Sequence, residues 1–200
     1  MPSSSASKYA VAIARAQTLR QAATDRRLRP KSQDEIQIYY HASLAVCVAA
    51  WDAYINNLVR EFYGAIANPL DVRFHAVYSV AQQAAEQRLE RFNTPNWENT
   101  RNLLAQSTGY DPINDWVWKR RRMGVTQVRE RLNEILKVRH SFAHGFSLPA
   151  YNWNQSPTGR TRLTSKTLRD VEAFFNNLVH ATDKGLKQHI NQTYGLAIPW

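Results

Sequence analysis

The sequence predicts an all-α protein, an up-and-down bundle of four to six helices forming one domain over residues 1–200. Three observations carry that expectation. Seven glycines among 200 residues are few, and long stretches lack both Gly and Pro, the residues that interrupt helices. Within those stretches apolar residues recur at steps of three and four. No internal repeat or linker divides the chain, whose length suits one domain with a sizeable core.

Residues 1–6 read as a frayed polar tail. A first helix is expected from about Ser7 to Arg27, with a weak apolar side of Val11, Ile13, Ala14, Ala16 and Leu19. It ends in a basic run of Arg26, Arg27, Arg29 and Lys31 broken by Pro30, either a solvated connection or a phosphate-contacting patch. The second helix is the clearest. Ser32 and Glu35 have the spacing of a capping box, in which each side chain satisfies a backbone donor of the other. A stripe of Ile36, Tyr40, Leu44, Cys47, Trp51, Ile55, Leu58, Phe62 and Ile66 then leads to a stop near Asn68-Pro69. Asp52 sits on its shoulder.

A third helix covers roughly Asp71 to Phe92, carrying Phe74, Val77, Val80, Ala81, Ala84 and Leu89. Thr94-Pro95 reads as the cap and first turn of a short helix through Leu104, closed near Gly109. The next segment, bounded by Pro112 and Gly124, sets Trp116 and Trp118 beside Lys119, Arg120, Arg121 and Arg122. Aromatics next to basics can stack bases and hold phosphates, which makes Trp118 and Lys119–Arg122 candidate RNA contacts. The alternative is two tryptophans anchoring a loop on the core, with a solvated charge run beside them.

The stretch Thr126 to Gly145 is the centre of the chain. At about 100° per residue Val128, Leu132, Ile135, Leu136, Phe142 and Ala143 share one face. Arg139 falls inside that stripe, with no carboxylate three or four positions away to pair with it. Its guanidinium cannot shed its proton, so a core-facing Arg139 needs an acid on another helix or a bound anion. Asp52 is the candidate acid. Gly145 is a natural helix-ending residue, and His144 immediately precedes it. A loop with Pro149 and Pro157, wide enough for a small hairpin, leads to a last helix. That helix starts at Thr164–Thr167, runs to about Thr193, and buries Leu168, Val171, Phe174, Phe175, Leu178 and Leu186.

The 26 Lys and Arg against 16 Asp and Glu leave a formal charge of +10, which fits a polyanionic partner, most simply nucleic acid. Cys47 is the one cysteine and lies on an apolar face, as a small buried thiol in a reducing compartment would. No secretory signal opens the chain, and no apolar segment approaches the ~18–20 residues of a membrane span. A cytoplasmic protein without a membrane partner is expected.

Most catalytic patterns are missing: there is no Gly-rich phosphate loop, no GxSxG and no CxxC. His140 and His144 are four apart, as two metal ligands can be, but Ser141 follows His140 and no third and fourth ligands stand out. What remains is Arg139 with His144 at a helix end. Histidine can take a proton from a ribose 2′-OH or give one to a leaving 5′-oxygen. Arginine grips the phosphate and its developing charge. RNA carries its own nucleophile, so this pair needs neither metal nor cofactor, and a 2′,3′-cyclic phosphate results.

The stretch VRHSFAHG resembles the Arg-polar-xxx-His motif of the HEPN superfamily, with Arg139, His140 as the polar residue, and His144. Upstream, LAVCVAAWDAYINNLVREFY is similar to the long second helix of RiboL-PSP-type HEPN proteins, where an acidic residue follows an aromatic, as Asp52 follows Trp51. The resemblance implies a helical bundle that pairs about a two-fold axis. Two copies of the motif meet in the cleft as a metal-independent endoribonuclease, with Arg139, His140 and His144 in the motif and Asp52 orienting it. It also implies a toxin or anti-phage defence effector, with an antitoxin or other regulatory partner. HEPN toxins silenced by a nucleotidyltransferase carry a Tyr two positions after the motif His. Phe146 stands there and has no hydroxyl, so that control is not expected. Two further readings stay open: a non-catalytic module that binds RNA, nucleotide or a partner, and an antitoxin or scaffold.

Overall fold

The computed structural model describes residues 1–25, 27, 32–68, 71–156, 158–197 and 200, without the side chains of Val72 and Arg73. Among these residues it is an all-α bundle of six helices: α1 (Ser4–Ala22), α2 (Gln33–Ile66), α3 (Val72–Arg91), α4 (Trp97–Thr108), α5 (Val125–Ala143) and α6 (Ser165–Tyr194). Much of the basic run after α1 (Arg26, Arg29, Pro30, Lys31), with Pro69 and Pro157, lies outside the described residues.

α2 is the axis of the bundle. Ser32 caps it by accepting from the Glu35 N–H (3.2 Å), while Glu35 accepts from the Ser32 N–H (2.8 Å), so both halves of the capping box form. Its expected stripe is buried from Tyr40 through Ile66, with Ile36 half-buried. Trp51 is fully buried, its ring near those of Tyr54, Trp116 and Phe175, and its indole N–H donates to the Pro95 carbonyl (3.1 Å). The sequence expectation that no apolar segment reaches membrane-spanning length is corrected here. An 18-residue window of α2 has a mean hydropathy of 1.3, and the reason is its central place, with 56% of that window buried by the other helices.

The start of the chain is also corrected. No frayed tail precedes Ser7; α1 begins at Ser4, and Ser3 caps it by accepting from the Ala6 N–H (2.9 Å). Carboxylates from two other helices satisfy donors that a helix start leaves open. Asp183 accepts from the Ser3 N–H (3.0 Å), and Glu61 from those of Ser4 and Ser5 (both 2.8 Å). The buried face of α1 is Tyr9, Ile13 and Ala16, whereas Val11 is exposed. On the same helix Arg20 reaches the buried Glu172 of α6 with two hydrogen bonds (2.7 and 3.3 Å).

One further boundary, one face and one loop differ from expectation. α4 is capped by Asn96, which accepts from the Asn99 N–H (2.7 Å); Thr94 and Pro95 stay outside, their carbonyls taken by the Asn99 amide and Trp51. Val77 and Val80 of α3 are exposed, and Ala85 and Leu89 are the buried positions. The α6 stripe is buried as expected. Gly185 in its middle lets the Tyr110 hydroxyl, which donates to Asp115 (2.7 Å), lie where a side chain would stand. The hairpin expected in the loop after α5 reduces to one isolated bridge, Gln155 with Thr161.

Candidate functional site

α5 opens at Gly124, whose N–H donates to Gln127 Oε1 (2.8 Å), and buries Val128, Leu132, Ile135 and Val138. Val138 is the last buried residue of the helix. From there the core-facing stripe runs on past the end of the core, where among the described residues His41 covers one face of Phe142 and the following positions lie open. Arg139, though in phase with Leu132 and Ile135, is therefore exposed, as are Phe142 (43%), Ala143 and Phe146 (63%). The expectation of an Arg139 lodged in the core is corrected: helical phase was right, but the bundle is about one turn shorter than the helix.

The helix ends in a Schellman motif. His144 is the cap, Gly145 adopts φ +69°, the Phe146 N–H donates to Ser141 O (2.8 Å) and the Gly145 N–H to Phe142 O (3.2 Å). The positive φ favours Gly, which lacks the Cβ that strains this conformation. These bonds fix the backbone of His144 while its side chain stays exposed. The His140 and His144 rings have centroids 4.2 Å apart, and Phe146 lies 6.3 and 6.0 Å from them.

Asp52 lies half-buried on α2. Burial raises its pKa, while a hydrogen bond from Asn56 (3.2 Å) and the positive charge of Arg139 act to lower it. The two are neighbours through charge without a direct ion pair among the described residues. Arg139, His140 and His144 thus share the end of α5, and Asp52, midway along α2, is within electrostatic reach of Arg139.

The second candidate group lies apart. Lys119, Arg120, Arg121 and Arg122 precede α5, and some 14 helical residues, about 20 Å of rise, separate that end from Arg139. Trp118 does not present a face for stacking. It is 9% exposed, packs edge-on against Phe174 (5.8 Å), and closes a small backbone bridge with Met123. Trp116 is fully buried and donates to the Thr182 hydroxyl (3.0 Å). Arg121 is paired with Asp170, leaving Lys119, Arg120 and Arg122 as the outward cations. The tryptophans anchor the loop because its irregular backbone offers little other apolar area to the core.

Sequence reasoning missed His41. It is 4% exposed on α2, its ring lies flat against Phe142 (4.1 Å, 2°), and its Nδ1 has no hydrogen-bond partner among the described residues. Its place, one residue after the stripe position Tyr40 and against Phe142 of the motif helix, is set by tertiary packing. Burial pushes its pKa from 6.5 down to about 4. The unfolded chain takes up this proton near pH 6.5 and the folded one only near 4, so stability is unaffected above that window and falls as pH drops through it. The expected loss is up to about 3 kcal/mol. Urea unfolding across the window should show His41→Phe losing this share of the acid sensitivity; parallel curves for variant and wild type would contradict the buried, neutral imidazole.

A cavity of about 790 Å³ lies elsewhere, between α5, α6 and the loop after α5. Four of the charges lining it form two pairs, Arg121 with Asp170 and Arg131 with Glu134 (3.5 Å). The chemistry argued for the motif needs the exposed end of α5, so size is a poor guide here. Among the described residues no group of three or more His, Cys, Asp or Glu is placed to hold a metal ion.

A helical bundle built on one long central helix, with a basic and imidazole-bearing helix end, is the class that fold and site define. Residues 13–188 match the family described as RiboL-PSP-HEPN, and the chain belongs to that family. The family places it among nucleases and RNA-binding modules. Neither the curated proteins nor the solved structures give a match.

Proposed function

We propose that the protein is a metal-independent endoribonuclease that works as a two-fold dimer. The observation that carries this reading is the α5 stripe that outruns its own core. Arg139 and Ala143 are exposed in phase with buried residues of α5, Phe146 is exposed just past the helix end, and on α2 the small side chains of Ala49 and Ala53 are exposed around Asp52. A two-fold axis beside these surfaces covers the apolar stretch and brings two Arg139 and two His144 side chains into one cleft. The two guanidiniums repel, and Asp52 together with the bound phosphate offsets them.

In that cleft one His144 takes the proton of the ribose 2′-OH, whose oxygen attacks the adjacent phosphorus. Arg139 holds the phosphate oxygens and the charge that grows on them. The other His144 gives a proton to the departing 5′-oxygen, leaving a 2′,3′-cyclic phosphate and a 5′-hydroxyl. His140, whose tilted ring lies 4.2 Å from that of His144, keeps that ring in place. An unrestrained ribonuclease harms its host, which suits a toxin or anti-phage effector held by a regulatory partner.

Exposure of both Arg139 and His144 in the single chain favours one rival, a module that binds RNA without cutting it. Digestion of total RNA in EDTA, with ends mapped, separates the two. Cyclic-phosphate ends are expected. Salt-dependent RNA retention with intact strands would establish the rival, and complete loss of cleavage on chelation would end the metal-free mechanism.

A further inference from the structure

Beside the motif lies a cavity of about 300 Å³ between the first turns of α2, the end of α5 and the loop that follows. Ile38, Phe142 and Leu148 supply apolar walls, the buried His41 lines it, and Arg160 and Arg162 stand at its edge. Arg160 and Arg162 flank Thr161, whose backbone pairs with Gln155, and all three line this cavity, Arg162 bordering the 790 Å³ one as well. That segment is held on both sides. The Arg162 N–H donates to Asn154 O (2.9 Å), and Gln37 bonds both backbone groups of Leu163 (2.9 and 3.1 Å). Neither arginine has an ion pair among the described residues, and Asp34 is the one acid in the lining.

We propose that this cavity receives one nucleobase of a bound RNA strand, with the attached phosphate held between Arg160 and Arg162. The lining calls for a planar, partly apolar group with hydrogen-bonding edges, tied to an anion. A nucleotide is that group. The base packs against Ile38, Leu148 and the exposed edge of Phe142, so that ring does not stand between it and His41. His41 gives the floor a hydrogen-bonding edge that a Leu or Phe would lack. An imidazole can turn by half a revolution about χ2 and keep its plane, so the stack on Phe142 survives while the nitrogens exchange sides. A buried ring nitrogen without a partner among the described residues is costly, and a base supplies that partner. Phe142 lies three residues from Arg139 on the same helix, so the base read here neighbours the phosphate at the motif. This subsite rests on RNA being the ligand and not on RNA being cut.

The test titrates the four nucleoside 3′-monophosphates, and inorganic phosphate separately, into the full chain while NMR follows the His41 and Phe142 rings and the Leu148 methyls. At least one mononucleotide is expected to shift these signals saturably, and inorganic phosphate is not. Leu148→Trp, which fills the cavity, and the double variant Arg160→Ala with Arg162→Ala should each weaken binding about tenfold or more (about 1.4 kcal/mol). The double variant changes exposed side chains, so it keeps the test decisive if Leu148→Trp does not fold. Unmoved signals at millimolar mononucleotide, or the same shifts from phosphate alone, would overturn the subsite. Cleavage with an empty cavity removes the subsite and leaves the nuclease; a filled cavity without cleavage does the reverse.

Discussion

His144→Ala is expected to abolish RNA cleavage, by about 10²–10⁴-fold, the range of one general acid or base. The loss should be at the large end, because one substitution removes both the base and the acid of the proposed pair. Folding should be spared. The His144 ring is exposed, and the backbone at this position is held by the Schellman bonds of Gly145 and Phe146, which the substitution leaves intact. Arg139→Ala should cost a comparable factor through lost stabilisation of the phosphate, again with little change in stability, because its guanidinium is not buried. Initial rates on a labelled RNA, beside circular dichroism and sedimentation of the same preparations, decide it. Wild-type cleavage by His144→Ala would remove the mechanism, whereas a variant that no longer dimerises would point to a structural role.

Arg20→Ala should give the largest change in stability, a loss of about 3–5 kcal/mol. Its side chain is 13% exposed and that of its partner Glu172 is 7% exposed, so truncation leaves a carboxylate charged and alone inside the bundle. The pair itself adds little net stability, since taking both charges out of water offsets most of their attraction. Replacing both, Arg20→Met with Glu172→Leu, should therefore return close to wild type. Urea midpoints for the single and double variants measure this. A mild single variant would mean that Glu172 finds water or another donor.

Much of the architecture could be read from the chain because its helices follow local rules. The capping box of Ser32 and Glu35 and the α2 stripe are contained in consecutive residues, and so is the stop at Gly145. Errors arose where the deciding group came from far away. Asp183 and Glu61 order the first residues, and neither has a local signature. Val77 and Val80 are apolar yet face outward, because α3 meets the bundle through Ala85, Leu89 and the Tyr78 hydroxyl bonded to Tyr63 O (3.0 Å). At the site, helical phase placed Arg139 on the right side of α5 but carried no information on where the neighbouring helices stop covering it. Trp118 beside four cations has the composition of a nucleic-acid contact, and only tertiary packing against Phe174 shows the ring to be inside.

The overhang of α5 beyond its core also bears on regulation. Under the two-fold arrangement proposed here, a solitary chain owns half of a catalytic apparatus and a patch of uncovered aromatic surface. Abundance itself then acts as a throttle: scarce copies drift as inert monomers, and crowding them arms the pair by mass action. A molecule that caps the overhang needs no access to the chemistry to silence it.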